Sequence, residues 1–417
     1  MRRFGIMAIV AGALLATTAP AATAAKRPRP TDVPRAQLFS EVAPNPFHVF
    51  NDYATPARFY ASQRAVAHYV VLGIDAPPLN DDDLDGVPDY VERVGEAADT
   101  AIRYYERRGF ARILADAGGP DGRPDLYISR FTPGYFGVAF PGADAEGGAF
   151  VAVSNALDPS PATSLGSVYG TVAHELFHLV QFSYLPSTAD PDLAGWAIEG
   201  MAAAMESRVY PDLDDIVSSL QLRRWFAAPQ RSVTTHTYGS QLLWRFLDER
   251  QPRLLPAYLA RSARARGDSH GASLVSTYER VARAPFAAAF GRFAAWTADW
   301  YGDRITPLRR LARREQAVGS VAPLAIHYLR LSRSTRAVSL SFTRSVGEAT
   351  LTYQLASDRA GYPAASRRLR ARLAKGGRQL TYAIPAPLRR NDRFEAPTLV
   401  VTNGNLAQQV TYRVATR

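Results

Sequence analysis

The sequence has 417 residues and a formal net charge of +11, with 49 Lys and Arg against 38 Asp and Glu. This length is typical of about two domains, and the lack of cysteine excludes disulfide bonds and latency through a cysteine switch. The positive charge comes almost wholly from arginine, since Lys26 and Lys375 are the only lysines. No arginine cluster alternates with aromatic residues, so the composition predicts no nucleic-acid partner.

The N-terminal residues are typical of a secretory signal peptide. Two arginines follow the first methionine, an apolar run extends to about Thr17, and Ala22-Thr23-Ala24 offers a small-x-small cleavage site. We therefore predict a signal peptide over residues 1–25 and a secreted, extracellular protein. Residues 26–60 are rich in Pro, Arg and Ala and are predicted to be an extended segment. No later apolar run is long enough to span a bilayer, so no membrane span is predicted.

An acidic run from Asp81 to Glu92 matches a twelve-residue calcium loop. Gly86 stands at position 6, where the loop turns sharply, and acids stand at positions 1, 3, 5, 9 and 12, namely Asp81, Asp83, Asp85, Asp89 and Glu92. So many carboxylates in one turn repel each other without a cation, which predicts structural calcium. Pro88 and the lack of a preceding helix favour an isolated loop over a paired EF-hand. The alternative is a solvated acidic turn that caps the next helix.

The segment from Val172 to Val180 contains an H-E-x-x-H motif on a predicted buried helix. His174 and His178 are four positions apart, so their imidazoles face one way and can bind one zinc ion. Glu175 lies on the neighbouring helix face, where it can reach a zinc-bound water.

A third zinc ligand is predicted on the next helical segment, Trp196 to Glu206. Glu199 follows His178 by 21 positions, which leaves room for a loop and an antiparallel helix. Glu206, two turns further on the same face, is predicted to accept a hydrogen bond from the outer N–H of a ligand histidine. The alternative is that both glutamates are solvated and the two histidines are structural.

These motifs resemble the gluzincin clan of zinc metallopeptidases, and the W-x-x-E-G-x-A-x-x-x-E segment is most similar to aminopeptidase-N-like enzymes. The upstream D-x-D-x-D-G-V-P-D-Y-V-E and downstream T-Y-G-S-Q-L-L segments resemble a family of secreted bacterial predicted metalloproteases with the same zinc core. The resemblance covers roughly residues 65–250. It implies that His174, His178 and Glu199 bind zinc and that Glu175 is the general base.

The sequence departs from the aminopeptidases ahead of the zinc helix. Those enzymes carry a G-x-M-E-N strand whose glutamate holds the substrate amine, whereas the stretch from Gly147 to Asn155 contains no acid. We expect this stretch to be an extended strand that binds substrate main chain at a sheet edge. The missing acid favours an endopeptidase over an aminopeptidase.

A donor for the oxyanion of the reaction is predicted between Thr235 and Ser240. Alignment with the aminopeptidase pattern places His236 where those enzymes have a tyrosine, while Tyr238 is the chemically simpler donor. The sequence does not choose between them, and either can equally be a packing or capping residue.

The pattern along the chain predicts an α+β fold with a zincin-like catalytic domain over residues 61–316 and a C-terminal β-sandwich over 323–417. The first part is predicted as a small sheet packed on the zinc helix, with strands at 65–72, 124–129 and 150–153 and a helix at 90–108. A helical half follows, at 212–226, 239–250, 253–265 and 274–300. The sandwich strands are predicted at 325–331, 338–343, 350–355, 379–384, 398–402 and 410–414.

The predicted function is a secreted zinc endopeptidase acting on a peptide or protein substrate. Two alternatives remain, a calcium-stabilised surface-binding protein on the same scaffold with little activity, and an aminopeptidase. Substrate specificity and oligomeric state are not indicated by any pattern in the residues.

Overall fold

The computed structural model describes residues 57–114, 121–140, 149–159, 167–184, 195–211, 220–262, 270–342, 347–354, 366–369, 372–373, 379–386 and 396–417. Helices and sheets both occur, which confirms the α+β class at that level. The chain forms two compact units, unit 1 with Met1–Ser219 and Leu255–Gly267, and unit 2 with Leu220–Leu254 and Asp268–Arg417. The boundaries of the catalytic domain and the sandwich remain a prediction. The predicted signal peptide lies outside the described residues.

Unit 1 contains a five-stranded sheet in the order β1-β2-β3-β5-β4. The three central strands are parallel and the two outer strands are antiparallel to their neighbours. The strands are β1 (Arg58–Ala61), β2 (Val66–Tyr69), β3 (Asp125–Ser129), β4 (Gly137–Phe140) and β5 (Phe150–Ser154).

The predicted edge position of the stretch 147–155 is wrong. Within it, β5 pairs with β3 on one side and with β4 on the other, and all five of its residues are buried. The run of apolar residues in β5 is the usual pattern of a strand covered on both faces. On this side of the sheet, the edge among the described strands is β4, a short strand that the sequence pattern did not reveal.

A buried hydrogen bond between side chains joins two of the parallel strands. His68 of β2 and Asp125 of β3 are both fully buried, and His68 Nε2 lies 2.6 Å from Asp125 Oδ1. The imidazole also stacks on Tyr127 with ring centroids 4.5 Å apart. The bond therefore gives His68 Nε2 and Asp125 Oδ1 a partner, and either atom would otherwise be costly to bury.

The first helix, α1, spans Asp89–Arg107 and agrees closely with its prediction. Acidic Asp89 and Glu92 lie in its first turn, where the helix dipole favours negative charge. Beyond its end Gly109 adopts φ +78°, a left-handed conformation in which its N–H reaches the carbonyl of Glu106. The hydroxyl of Tyr105 donates to the carbonyl of Ala173, which joins α1 to the next helix.

The second helix, α2, spans Val168–Tyr184 and carries the H-E-x-x-H motif. Ser167 precedes it, and its Oγ accepts a hydrogen bond from the Gly170 N–H at 3.1 Å, which caps the helix. Every residue from Gly170 to Gln181 is buried, so α2 is covered on all sides. The other described helices of unit 1 are α3 (Gly195–Val209) and α6 (Leu254–Ser262), of which only Leu254 is assigned to unit 2.

Unit 2 contains the remaining described helices, α4 (Leu220–Ala227), α5 (Gln241–Arg250), α7 (His270–Ala282) and α8 (Phe286–Tyr301). The single helix predicted at 274–300 is wrong, because α7 and α8 are separate. Arg283 adopts φ +50° and Pro285 directly precedes α8. Proline has no N–H to continue a helix and constrains the residue before it, so the chain turns there.

Two five-stranded sheets make up the rest of unit 2, in the orders β11-β10-β14-β8-β6 and β12-β13-β9-β15-β7. One apolar core contains side chains from both, including Leu329, Leu340, Leu399 and Val414. Two sheets that share a core in this way form a β-sandwich. The strands are β6 (Arg309–Leu311), β7 (Gln316–Val321), β8 (Ala325–Leu331), β9 (Ala337–Phe342), β10 (Gly347–Gln354), β11 (Ser366–Leu369), β12 (Arg372–Leu373), β13 (Gln379–Ala383), β14 (Thr398–Asn403) and β15 (Val410–Thr416).

His327 lies inside this sandwich. It is 6% exposed, and its Nδ1 lies 3.0 Å from the hydroxyl of Tyr412, so the contact joins β8 of one sheet to β15 of the other. Burial lowers the pKa of His327 to about 4.

Among the helices of the described ranges, none has both the length and the apolar character needed to cross a bilayer.

Candidate metal centre

The structure brings His174, His178 and Glu199 together in unit 1. Both histidines lie on α2 with ring centroids 4.9 Å apart, and Glu199 lies one turn into α3. Glu199 Oε2 is 3.3 Å from His174 Nε2 and 3.6 Å from His178 Nε2. All three side chains are buried, with exposures of 1%, 2% and 5%.

Three potential ligand atoms, one from each residue of this group, lie within 4.8 Å of one another. The Nε2 atom of His178 is buried without a hydrogen-bond partner among the described residues. A buried polar atom without a partner is costly unless a ligand completes it. Two imidazoles and one carboxylate are a donor set that zinc accepts in catalytic sites, so the residues fit the metal that the sequence predicts.

Glu206 lies where the sequence predicts it, behind the first histidine. Its Oε1 is 2.7 Å from His174 Nδ1, and its side chain is 24% exposed. A carboxylate can only accept there, so Nδ1 of His174 carries a proton, and Nε2 is the ring nitrogen that faces Glu199. Burial opposes the charged imidazole, but hydrogen bonds to Glu199 and Glu206 outweigh it and raise the pKa of His174.

Gln181 contacts the second histidine, His178, a role that the sequence did not indicate. Its Oε1 is 2.7 Å from His178 Nδ1, and its Nε2 donates to the carbonyl of Ile198 at 2.9 Å. The residue is fully buried in a stretch of α2 that is otherwise mostly apolar. A lone buried amide three positions after a candidate ligand was the available signal.

Glu175 lies between the metal ligands and the edge strand β4. The side chain is 1% exposed, and Oε1 is buried without a hydrogen-bond partner among the described residues. Gly137 of β4 approaches so closely that a Cβ added there would lie 2.7 Å from Glu175 Cγ. Burial raises the pKa of Glu175, although the two neighbouring imidazoles oppose this. The carboxyl is therefore held in a dry position beside a strand edge.

The acidic loop forms the compact turn that its pattern predicts. The N–H groups of Asp85 and Gly86 both donate to the carboxylate of Asp81, and Gly86 adopts φ +94°. Carboxylate oxygens of Asp81, Asp83 and Asp85 lie within 4.8 Å of one another.

The remaining two predicted calcium ligands lie in the first turn of α1. Asp89 Oδ1 accepts a hydrogen bond from the N–H of Asp82 at 3.1 Å. Burial, together with the charges of Asp85, Asp83 and Asp89, raises the pKa of Glu92, so negative charge is concentrated around its carboxyl.

His236 and Tyr238 both belong to unit 2, and their predicted role as oxyanion donors stays a prediction. The imidazole of His236 hydrogen-bonds the carbonyl of Ala228, while Nε2 is buried without a partner among the described residues. Burial and the charge of Arg231 lower its pKa, so the neutral ring presents Nε2 as an acceptor. Tyr238 begins a short 3-10 turn and carries a hydroxyl that can donate when neutral.

Comparison with known proteins yields little similarity. No family model and no curated protein matches the sequence. Among solved structures it matches that of IMPa from Pseudomonas aeruginosa in complex with an O-glycopeptide, at 12% identity and a TM-score of 0.15. The match covers 60% of this chain and only 28% of that one. A TM-score this low does not establish a shared fold, so the candidate centre rests on its own geometry.

Proposed function

We propose that this protein is a zinc-dependent peptidase with a zincin-like catalytic centre. The observation that carries the proposal is the convergence of His174, His178 and Glu199 beside Glu175, one oxygen of which is buried with no hydrogen-bond partner in the described part of the chain. A purely structural metal site has no need of a further acid in that position, whereas hydrolysis needs a base. Zinc, when bound by these three residues, supplies a Lewis acid that lowers the pKa of the attacking water.

Glu175 is the proton carrier of the proposed reaction. Its carboxylate takes the proton from the attacking water and passes it to the amine that leaves when the peptide bond breaks. Burial favours the protonated form that this relay passes through. Glu206 and Gln181 hold the outer nitrogens of the two ligand histidines, which keeps both inner nitrogens aimed at one point.

The substrate main chain is proposed to bind along β4. This strand is one of the two edges of the described sheet, and its first residue, Gly137, lies close to Glu175. A peptide that pairs with a strand edge is held by backbone hydrogen bonds, which do not require a free amino terminus. An endopeptidase is therefore proposed in preference to an aminopeptidase.

Calcium is proposed as a structural ion in the Asp81–Glu92 loop. The support is the pair of backbone hydrogen bonds to Asp81, the left-handed Gly86 and the convergence of three carboxylates. These features shape the turn while leaving carboxylate oxygens available for a cation. Secretion is proposed from the N-terminal residues alone, and sequencing the N-terminus of exported protein tests it.

Metal analysis of the purified protein, paired with a casein digest, tests the proposed function. We expect about one zinc per chain, casein cleavage that stops with a zinc chelator and resumes with zinc, and internal cleavage sites in the products. Stepwise release of N-terminal residues would instead indicate an aminopeptidase. Full zinc occupancy with no hydrolysis of any protein or peptide substrate would contradict the peptidase and favour the binding protein.

A further inference from the structure

Gln181 occupies an unusual position for an amide. It is fully buried on α2, where an amide without hydrogen bonds would be costly. Both ends of its side chain are bonded, one to His178 and the other to the backbone of α3.

The partners of Gln181 determine how its amide is oriented and which nitrogen of the His178 ring carries the proton. The carbonyl of Ile198 can only accept, so the amide NH2 group must face Ile198 and Oε1 must face His178. An amide oxygen likewise only accepts, so Nδ1 of His178 carries the proton. Nε2 of His178 is then left with the lone pair that metal binding requires, and this atom is buried without a hydrogen-bond partner among the described residues.

The second bond of Gln181 ends beside the third candidate ligand. Ile198 directly precedes Glu199, so one side chain ties the His178 ring to the backbone next to Glu199. The two bonds, 2.7 Å and 2.9 Å long, connect ligands that lie 21 positions apart on separate helices. Glu206, by contrast, contacts the other histidine through a side chain that is 24% exposed, with Oε1 2.7 Å from His174 Nδ1.

We propose that Gln181 is a positioning residue that sets the tautomer of His178 and holds Glu199 at metal-binding distance from it. The proposal rests on the zinc centre described above. A histidine ligand is commonly oriented by one partner, but here the partner also locates another ligand. Loss of Gln181 therefore affects two of the three metal contacts at once.

Three variants separate this role from general packing. Gln181→Met keeps the size and loses both bonds, whereas Gln181→Glu keeps an acceptor for His178 but, when ionised, cannot donate to Ile198. Ser183→Ala, on the same helix, is the matched control. It removes the hydrogen bond that Ser183 Oγ donates to the Leu179 carbonyl and the one that it accepts from the Leu114 N–H, without touching a ligand.

Zinc affinity of the full chain is measured by competition with a chromophoric chelator, and the absorption spectrum of the cobalt-substituted protein reports ligand geometry. We expect Gln181→Met to bind zinc about 10- to 100-fold more weakly than the parent with a changed cobalt spectrum. Gln181→Glu should fall between them, and Ser183→Ala should match the parent. Thermal unfolding of the metal-free proteins shows whether each variant is folded before metal is added.

The outcomes distinguish this inference from the proposed function. A parent that binds no zinc contradicts the zinc centre itself. A parent that binds zinc, with Gln181→Met equal to it in affinity and spectrum, overturns only the positioning role. Parent-like zinc binding by Gln181→Glu contradicts the link through Ile198, and an equal loss in Ser183→Ala shows that general packing is responsible.

Discussion

At the scale of single residues, the buried Glu175 carboxyl makes the sharpest prediction. Glu175→Gln keeps the shape of the side chain but cannot take a proton from water, so casein cleavage should fall about 100- to 10,000-fold. Zinc content should stay at the parent value, because Glu175 is not among the three converging ligands. Cleavage assays and metal analysis on the same preparations check both parts.

Glu106→Gln is the control, because Glu106 pairs with Arg64 on the surface of the same unit. Equal casein turnover by Glu175→Gln and Glu106→Gln would remove Glu175 from the mechanism. A loss of zinc from Glu175→Gln would instead place the carboxyl among the ligands.

A second prediction follows from the lack of room for a side chain at Gly137. A Cβ at this position would lie 2.7 Å from Glu175 Cγ and 3.0 Å from Thr171 Cγ2, so Gly137→Ala must displace the base or the strand. We expect cleavage to fall by about 10- to 100-fold, as small misplacements of catalytic groups do, with zinc content unchanged. Gly122→Ala is the matched control, since nothing lies within 4 Å of its added Cβ. Parent-like kinetics of Gly137→Ala would show that β4 is not held against Glu175.

The residues of the centre differ in how far the sequence predicts them. The spacing of His174 and His178 follows from helix geometry, and the second helical segment supplies Glu199 and Glu206 in the right order. Gln181 and Gly137 were missed because their roles depend on contacts with a backbone carbonyl and a neighbouring side chain. Such contacts come from tertiary packing and leave no period in the sequence.

At the scale of elements, the acidic loop before α1 predicts a stability that depends on calcium. An ion that binds only the folded loop stabilises it by mass action, so EGTA at constant zinc should lower the melting temperature and speed self-digestion. The loop supplies no residue to the candidate zinc group, so stability should fall before zinc occupancy does.

Two single-charge variants make the calcium test specific. Asp81→Asn removes one of the three converging carboxylates and should abolish the calcium-dependent shift in melting temperature. Asp82→Asn removes an equal charge from a neighbour outside that group and should keep most of the shift. A melting curve that stays constant from chelator to millimolar calcium would show that the run is a solvated turn.

Elements were predicted best where their patterns are long. The helix α1 and the strands β8, β9 and β14 lie close to their expected bounds, because apolar spacing continues over several residues. The short strands β1, β4, β11 and β12 were missed, since two to four residues carry too little periodicity. The break between α7 and α8 was missed although Pro285 marks it, because the apolar pattern continues on both sides.

At the scale of the molecule, we predict from the buried His327 that the stability of unit 2 decreases in acid. Its pKa is about 4 in the folded protein against an ordinary value of 6.5, so folding favours the neutral ring. The contribution of His327 to the free energy of unfolding is therefore fully present above about pH 6.5. It is lost as pH falls towards 4, with a maximum loss of about 3 kcal/mol. Chemical denaturation of the parent and His327→Gln between pH 7 and 4 checks this, as carboxylate titrations are common to both. Parallel pH profiles would show that His327 does not contribute.

The architecture of the molecule was predictable only in outline. Alternating strands indicated two packed sheets in the C-terminal part, and the described strands share one apolar core. The sheet order was not predictable, because strands such as β8 and β14 pair across about seventy residues and alternation does not specify partners.

The His68–Asp125 bond restricts the ways in which the parallel strands can align. Sliding β2 by two residues along β3 would return every side chain to the same face, so burial of apolar surface discriminates poorly between such alignments. Only the observed alignment, with Val66 opposite Asp125, places the imidazole 2.6 Å from the carboxylate. Every shifted alignment would leave the Asp125 carboxylate buried in the interior without the imidazole of His68. This hydrogen bond therefore favours one alignment of β2 on β3. Because β5 pairs with β3 in turn, an error in that alignment would also displace the strands beside the metal centre.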